Sequence, residues 1–77
     1  MRQIHEVAEE IRKLWKKPYF GAVPYLEAMA SLTDSKSRYG CDDATSIVTY
    51  FLANANTFRG PEAKILKREL KDIVGIR

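Results

Sequence analysis

Cysteine and histidine are almost missing from this sequence of 77 residues, which has one of each. A single cysteine, Cys41, cannot form an internal disulfide bond, and one cysteine with one histidine cannot supply the ligands of a structural zinc site. We therefore expect a chain that uses no metal and no cofactor. A reducing, cytoplasmic setting fits this cysteine usage best.

Long apolar runs are missing as well. The N-terminal segment MRQIHEVAEEIRKLWKK mixes acidic residues with apolar ones, so it is expected to be neither a signal peptide nor a membrane span. The net charge of +3 is small, and it permits weak attraction to nucleic acid or to an acidic partner without requiring it. At this length we expect residues 1–77 to form a single domain without an elaborate active-site cleft.

Hydrophobic periodicity predicts four helices, over about residues 3–17, 24–32, 43–56 and 61–74. Alternating runs long enough for a strand are lacking. We therefore predict an all-α fold, a compact single-domain bundle of four helices. The residues expected at the helix ends are Pro18, Pro24, Asp42 or Asp43, Pro61 and Gly75.

The predicted core comes from the apolar stripes of these helices. Its members are expected to be Trp15, Leu26, Met29, Ile47, Phe51, Leu52, Leu66 and Leu70. Leu14 continues the stripe of the first helix, and the irregular connection PYFGAVP is expected to place Tyr19 and Phe20 on neighbouring core.

One segment, ATSIVTYFLANANTF, carries no charge over fifteen residues, although charged residues make up 30% of the chain. Opposite the apolar stripe of the third helix it places Ser46, Thr49, Tyr50 and Ala53, where a surface helix usually carries Lys or Glu. The interpretation we favour is that the third helix is central and packed by the other three. The alternative is a protein interface, with another protein or a second copy, because interfaces lack charge at their centre and are rich in Tyr.

The fourth helix holds a basic stripe. Lys64, Lys67, Arg68 and Lys71 are spaced i, i+3, i+4 and i+7, so they share one sector of the helix, where they could contact phosphates. Basic side chains beside an apolar stripe more often cover it with their stems. The joint NTFRGP is similar to that of a helix-turn-helix, yet the helix after it lacks the Asn, Gln and Ser residues that read base edges.

Residues with catalytic chemistry are few and scattered. His5 lies on the solvent side of the first helix, and Cys41 precedes the acidic pair Asp42 and Asp43, which would oppose a thiolate. Together with Asp34 these acids lack the spacing of a calcium-binding loop. We therefore predict that the chain is not an enzyme.

The segments PYLEAM and YGCDDATSIVTYFLANANTFRGPEAKILKREL together resemble a group of small all-helical proteins of bacteria and their phages that have no assigned activity. The similarity covers roughly residues 19–72. It implies a short helical accessory protein, in keeping with a prophage origin, and brings no catalytic or ligand-binding residues with it. The sequence thus favours a cytoplasmic protein–protein interaction module that does not bind a membrane, with a weak nucleic-acid-binding domain as the alternative.

Overall fold

Four α-helices make up most of the chain that the computed structural model describes, which is residues 2–34, 36–40 and 42–75. They are α1 (Ile4–Leu14), α2 (Val23–Met29), α3 (Ala44–Ala53) and α4 (Pro61–Val74). The prediction of an all-α single domain with four helices is confirmed. Helix α3 packs on α2 and α4, and α1 packs on α4 and α2.

Helix α1 ends at Leu14, three residues before the predicted end. A proline ring at position 18 would clash with the carbonyl group of Leu14 in a continued helix, and it also disfavours helical backbone at Lys17. Trp15 therefore leaves the helix with φ −98° and ψ 84°. The prediction that Leu14 is buried is wrong: it lies at the edge of the apolar stripe in the last turn, and its side chain is 43% exposed.

Helices α2 and α3 are also shorter than predicted, because local polar groups end them. After Met29 the chain turns, and the Ser31 hydroxyl donates to the carbonyl of Ala28 at 3.0 Å. After Ala53 the Asn54 side-chain amide donates to the carbonyl of Tyr50 at 2.8 Å, as expected for a residue that caps α3.

Of the two predicted candidates, Asp42 and Asp43, it is Asp43 that caps the start of α3. Its carboxylate accepts a hydrogen bond from the backbone N–H of Ser46 at 2.8 Å, and this bond lowers the pKa of Asp43 below its usual value. Just before the cap, β1 (Arg38–Tyr39) and β2 (Asp42–Asp43) form a two-stranded antiparallel hairpin. The sequence predicted no strand here, since two residues are too few to show an alternating pattern.

The core confirms the predicted apolar stripes. Among the residues predicted to be buried, those that are buried are Trp15, Leu26, Met29, Ile47, Phe51, Leu66 and Leu70. Leu52 is only partly buried and packs against this cluster from the side. Phe58, beyond the end of α3, stacks on Trp15 with ring centroids 5.2 Å apart, and Phe51 meets Trp15 edge-on at 6.2 Å.

Ion pairs of Arg2 connect the start of the chain to α4. The guanidinium donates to both carboxylate oxygens of Glu69, at 2.7 and 2.8 Å, and to Glu10 at 3.0 Å. Hydrogen bonding from Arg2 is the main reason that the pKa of Glu69 lies below its usual value. A bidentate pair of this kind is stronger than a simple surface ion pair.

Acid is expected to remove this contribution to stability. Because the pKa of Glu69 is lower in the folded chain than in the unfolded chain, the ion pair stabilises the fold above the unfolded pKa and is lost as the pH falls through the folded pKa. Replacing Glu69 with Gln should therefore lower the free energy of unfolding by about 1 kcal/mol at neutral pH. Thermal melts should show that the two proteins converge toward pH 3, and a constant difference at all pH values would contradict this prediction.

Candidate functional site

The uncharged residues of α3 lie on the outside of the domain. Thr49, Tyr50 and Ala53 are exposed and Ser46 is half-buried, because α3 packs on α2 and α4 through its opposite side. The favoured interpretation, a central helix surrounded by the other three, is therefore wrong. Helix α3 makes its main helix contacts with α2 and α4, and the side without charges faces solvent.

The polar groups on this side are partly satisfied within the helix. The Thr49 hydroxyl donates to the carbonyl of Thr45 at 2.7 Å, and the carbonyl of Tyr50 accepts from Asn54. A donor that already has a hydrogen-bond partner in the protein loses little free energy when a binding partner displaces the water around it. The desolvation free energy of burying this part of α3 in an interface would thus be lower than that of burying a charged helix.

Exposed aromatic rings extend the uncharged side of α3. Tyr50 is 52% exposed and its ring lies 5.6 Å from that of Tyr25 on α2. Tyr19 and Phe20, in the connection before α2, are 45% and 79% exposed, with ring centroids 4.7 Å apart. The prediction that Tyr19 and Phe20 pack on the core is wrong, since both side chains are exposed, and the ring that stacks on Trp15 is Phe58.

A groove joins Tyr19 to the end of α3. It has a volume of about 250 Å³ and is lined by Tyr19, Ala53, Asn54, Asn56 and Thr57. Gly21 permits the close approach, since a Cβ at this position would lie 2.6 Å from Cε2 of Tyr19 and 2.9 Å from Oδ1 of Asn54. Substitution of Gly21 would therefore require the side chains of Tyr19 and Asn54 to move.

We define the uncharged aromatic face as Tyr19, Phe20, Tyr25, Ser46, Thr49, Tyr50 and Ala53. The sequence predicted the four α3 residues and missed the three aromatic ones. A signal was present: residues 18–26, PYFGAVPYL, form a second run without charge. The two uncharged runs become neighbours only when α2 packs on α3.

The four residues of the basic stripe of α4 do not share one environment. Lys64, Arg68 and Lys71 are exposed and form no ion pair with a residue that the structure describes. Lys67 is half-buried, donates to the carbonyl of Ala55 at 2.8 Å and lies 5.8 Å from the centre of the Phe58 ring. Burial, and then the nearby cations Arg59 and Lys71, lower the pKa of Lys67. Three of the four predicted contacts therefore remain free to meet a phosphate.

The candidate catalytic residues are not brought together into a site. Nε2 of His5 lies 2.5 Å from Oε1 of Gln3, Asp34 accepts from the backbone of Lys36, and Asp43 is the cap of α3. Cys41 lies outside the described residues. Within residues 2–34, 36–40 and 42–75, no group of three or more His, Cys, Asp or Glu side chains is placed to hold a metal ion.

Helices long and apolar enough to cross a membrane are not found in the described part of the chain. Comparisons with protein-family models, with curated proteins and with solved structures find no match for this chain.

Proposed function

We propose that this chain is a non-enzymatic protein–protein interaction module, and that the uncharged aromatic face is its binding surface. The observation that carries the proposal is the exposure of Phe20 and Tyr50 beside a helix side that lacks any charge. Interface centres are depleted in charged residues and enriched in Tyr and Phe. One cysteine suits a reducing compartment, so we also propose a cytoplasmic location.

The size of the exposed aromatic surface supports the proposal. Tyr19, Phe20 and Tyr50 together leave roughly 350 Å² of surface accessible, given their exposed fractions and the roughly 200 Å² that each such residue can bury. Contiguous apolar patches of this size on small monomers often mark interaction sites. The adjoining small residues of α3 enlarge this uncharged surface.

A lysine at position 53 tests this proposal. Because Ala53 is exposed, Ala53→Lys should change the free energy of unfolding by no more than about 0.5 kcal/mol. The same charge should abolish binding of a protein partner or of a second copy, since it would be buried without a counter-ion when the interface closes. Thermal melting and sedimentation velocity, with capture of partners from the native host, measure the two effects.

The matched control is Ala30→Lys, which adds the same charge to an exposed alanine outside the uncharged aromatic face. It should leave both folding and association unchanged. A large loss of stability in Ala53→Lys would show that the residue is buried, and association equal to that of the control would contradict the proposed surface.

A second candidate function is weak nucleic-acid binding by α4, which the exposure of Lys64, Arg68 and Lys71 in one sector favours. Since Lys67 is engaged with Ala55, three phosphate contacts remain. Binding to DNA or RNA should then weaken with salt with a log–log slope of about −2.7, and Lys64→Gln should reduce this slope by about 0.9. Undetectable binding at about 50 mM salt, measured by fluorescence anisotropy, would exclude this function.

A further inference from the structure

A second groove lies where the end of α1 meets the start of α2. It has a volume of about 250 Å³. Its apolar walls come from Trp15, Pro18, Val23 and Leu26, and its charged residues are Arg12, Lys16 and Glu27. None of these residues belongs to the uncharged aromatic face, so the groove is a separate candidate site.

The indole of Trp15 brings an unused hydrogen-bond donor to this groove. Trp15 is 7% exposed, and its indole nitrogen donates no hydrogen bond to the residues that the structure describes. Among these residues, no fully buried side-chain nitrogen or oxygen lacks a partner, so the indole nitrogen must reach the surface. Because Trp15 lines the groove, we infer that its N–H is accessible there. A tryptophan N–H is a donor only and needs an acceptor when it is covered.

The charges around the groove favour an anionic acceptor. Arg12 and Lys16 line it, and Lys17 follows them in the chain. Lys13 lies outside the groove and pairs with Glu9. Glu27 and the partial negative charge at the carbonyl end of α1 act against an anion. Arg12 and Lys16, with Lys17 next to them in the chain, outnumber this one carboxylate, so the groove favours an anion.

We propose that this groove binds the carboxyl terminus of a partner polypeptide that ends in an aliphatic residue. The terminal carboxylate accepts from Trp15 Nε1 and pairs with Arg12 and Lys16, while the aliphatic side chain packs on Pro18, Val23 and Leu26. In a terminal residue the carboxylate and the side chain branch from one Cα, so both fit within a groove of this size. The carboxylate of an internal Glu lies farther from its neighbours' side chains.

The open shape of the groove favours a chain end over a free small acid. Sites for small molecules bury most of the ligand surface. This groove is open to solvent and leaves room for the preceding residues of a peptide to continue outward.

The single tryptophan of the chain makes the test direct. The ¹⁵N-labelled protein is titrated with acetyl-Gly-Ser-Gly-Val-Leu, and the Nε1–H resonance of Trp15 is followed by NMR. We expect this resonance to shift with saturation. The peptide amidated at its C-terminus should bind at least about tenfold more weakly, because it loses the charge-assisted hydrogen bonds.

Variants at exposed positions separate the site from general charge effects. Arg12→Glu with Lys16→Glu should weaken binding at least about tenfold, and Glu27→Gln should strengthen it about twofold. Lys13→Glu, the matched control outside the groove, should leave the affinity within about twofold. Any of three results would overturn the proposal: an unmoved indole resonance, equal affinity for the amidated peptide, or equal weakening by Lys13→Glu.

Two further ligands test whether the groove is specific for the carboxyl terminus of a polypeptide. Isovalerate and a blocked peptide with an internal Glu-Leu should each bind at least about tenfold more weakly than the free carboxyl terminus. Equal or tighter binding of isovalerate would make this a small-acid site, and equal or tighter binding of the internal peptide would make it a site for acidic side chains. Loss of association in Ala53→Lys would not alter any of these results, so the two proposals stand or fall separately.

Discussion

Replacing Phe51 with Ala should lower the free energy of unfolding by about 3–5 kcal/mol. Phe51 is fully buried and is the largest fully buried side chain of the core. Its ring meets Trp15 edge-on, so truncation removes an aromatic pair and leaves a cavity into which the surroundings relax only partially. For a domain of this length the total stability is about 4–12 kcal/mol, so the variant should be largely unfolded under mild denaturing conditions.

The matched control is Tyr50→Ala, the adjacent aromatic residue on the same helix. Since Tyr50 is half exposed, its removal should cost about 1 kcal/mol or less. Urea unfolding followed by circular dichroism measures both changes. Similar losses of stability in the two variants would contradict the assignment of inner and outer sides to α3.

Replacing Gly60 with Ala should destabilise the fold by about 1–3 kcal/mol through the backbone alone. Gly60 precedes α4 with φ 113° and ψ 174°, a region that residues with an L side chain rarely adopt. A Cβ at this position would meet no atom within 4 Å. Steric crowding therefore contributes nothing, and the cost measures conformational strain.

Two comparisons make this prediction specific. Gly75→Ala, at a left-handed position with φ 77° and ψ 24°, should cost about 1–2 kcal/mol. D-alanine at position 60, introduced by chemical synthesis, should retain the stability of the parent, because a D residue adopts positive φ without strain. Equal destabilisation by D- and L-alanine would show that the added methyl group, and not the backbone, is responsible.

Helix α4 could be predicted to the residue because both of its ends are encoded locally. Pro61 suits a first turn that needs no N–H donor, and Gly75 provides the left-handed residue that closes the last turn. Asp43 as the cap of α3 is another local signal. The predicted C-terminal ends of α1, α2 and α3 each lie beyond the observed ones, since apolar residues continue in the sequence after the helix has ended. Leu32 and Ala55, for example, are buried in the core although they follow the ends of α2 and α3.

The candidate site could be predicted only in part. The absence of charge on α3 was evident, but a pattern of neutral residues is the same for an inner helix and for an interface. Tyr19 and Phe20 looked like core residues because they are aromatic. Lys67 looked like its neighbours on the basic stripe, yet the carbonyl of Ala55 and the ring of Phe58 engage it.

The sequence by itself determined the helical class, the apolar stripes and the bounds of α4, and it narrowed the cap of α3 to Asp42 or Asp43, because each depends on residues within a few positions of one another. The tertiary structure alone decided which side of α3 faces solvent and which aromatic ring reaches Trp15. Phe58 stacks on the indole, whereas Tyr19 and Phe20 contact each other and stay exposed. Segments that are distant in the sequence fill the same core. Which apolar residues remain exposed therefore depends on how the whole chain packs.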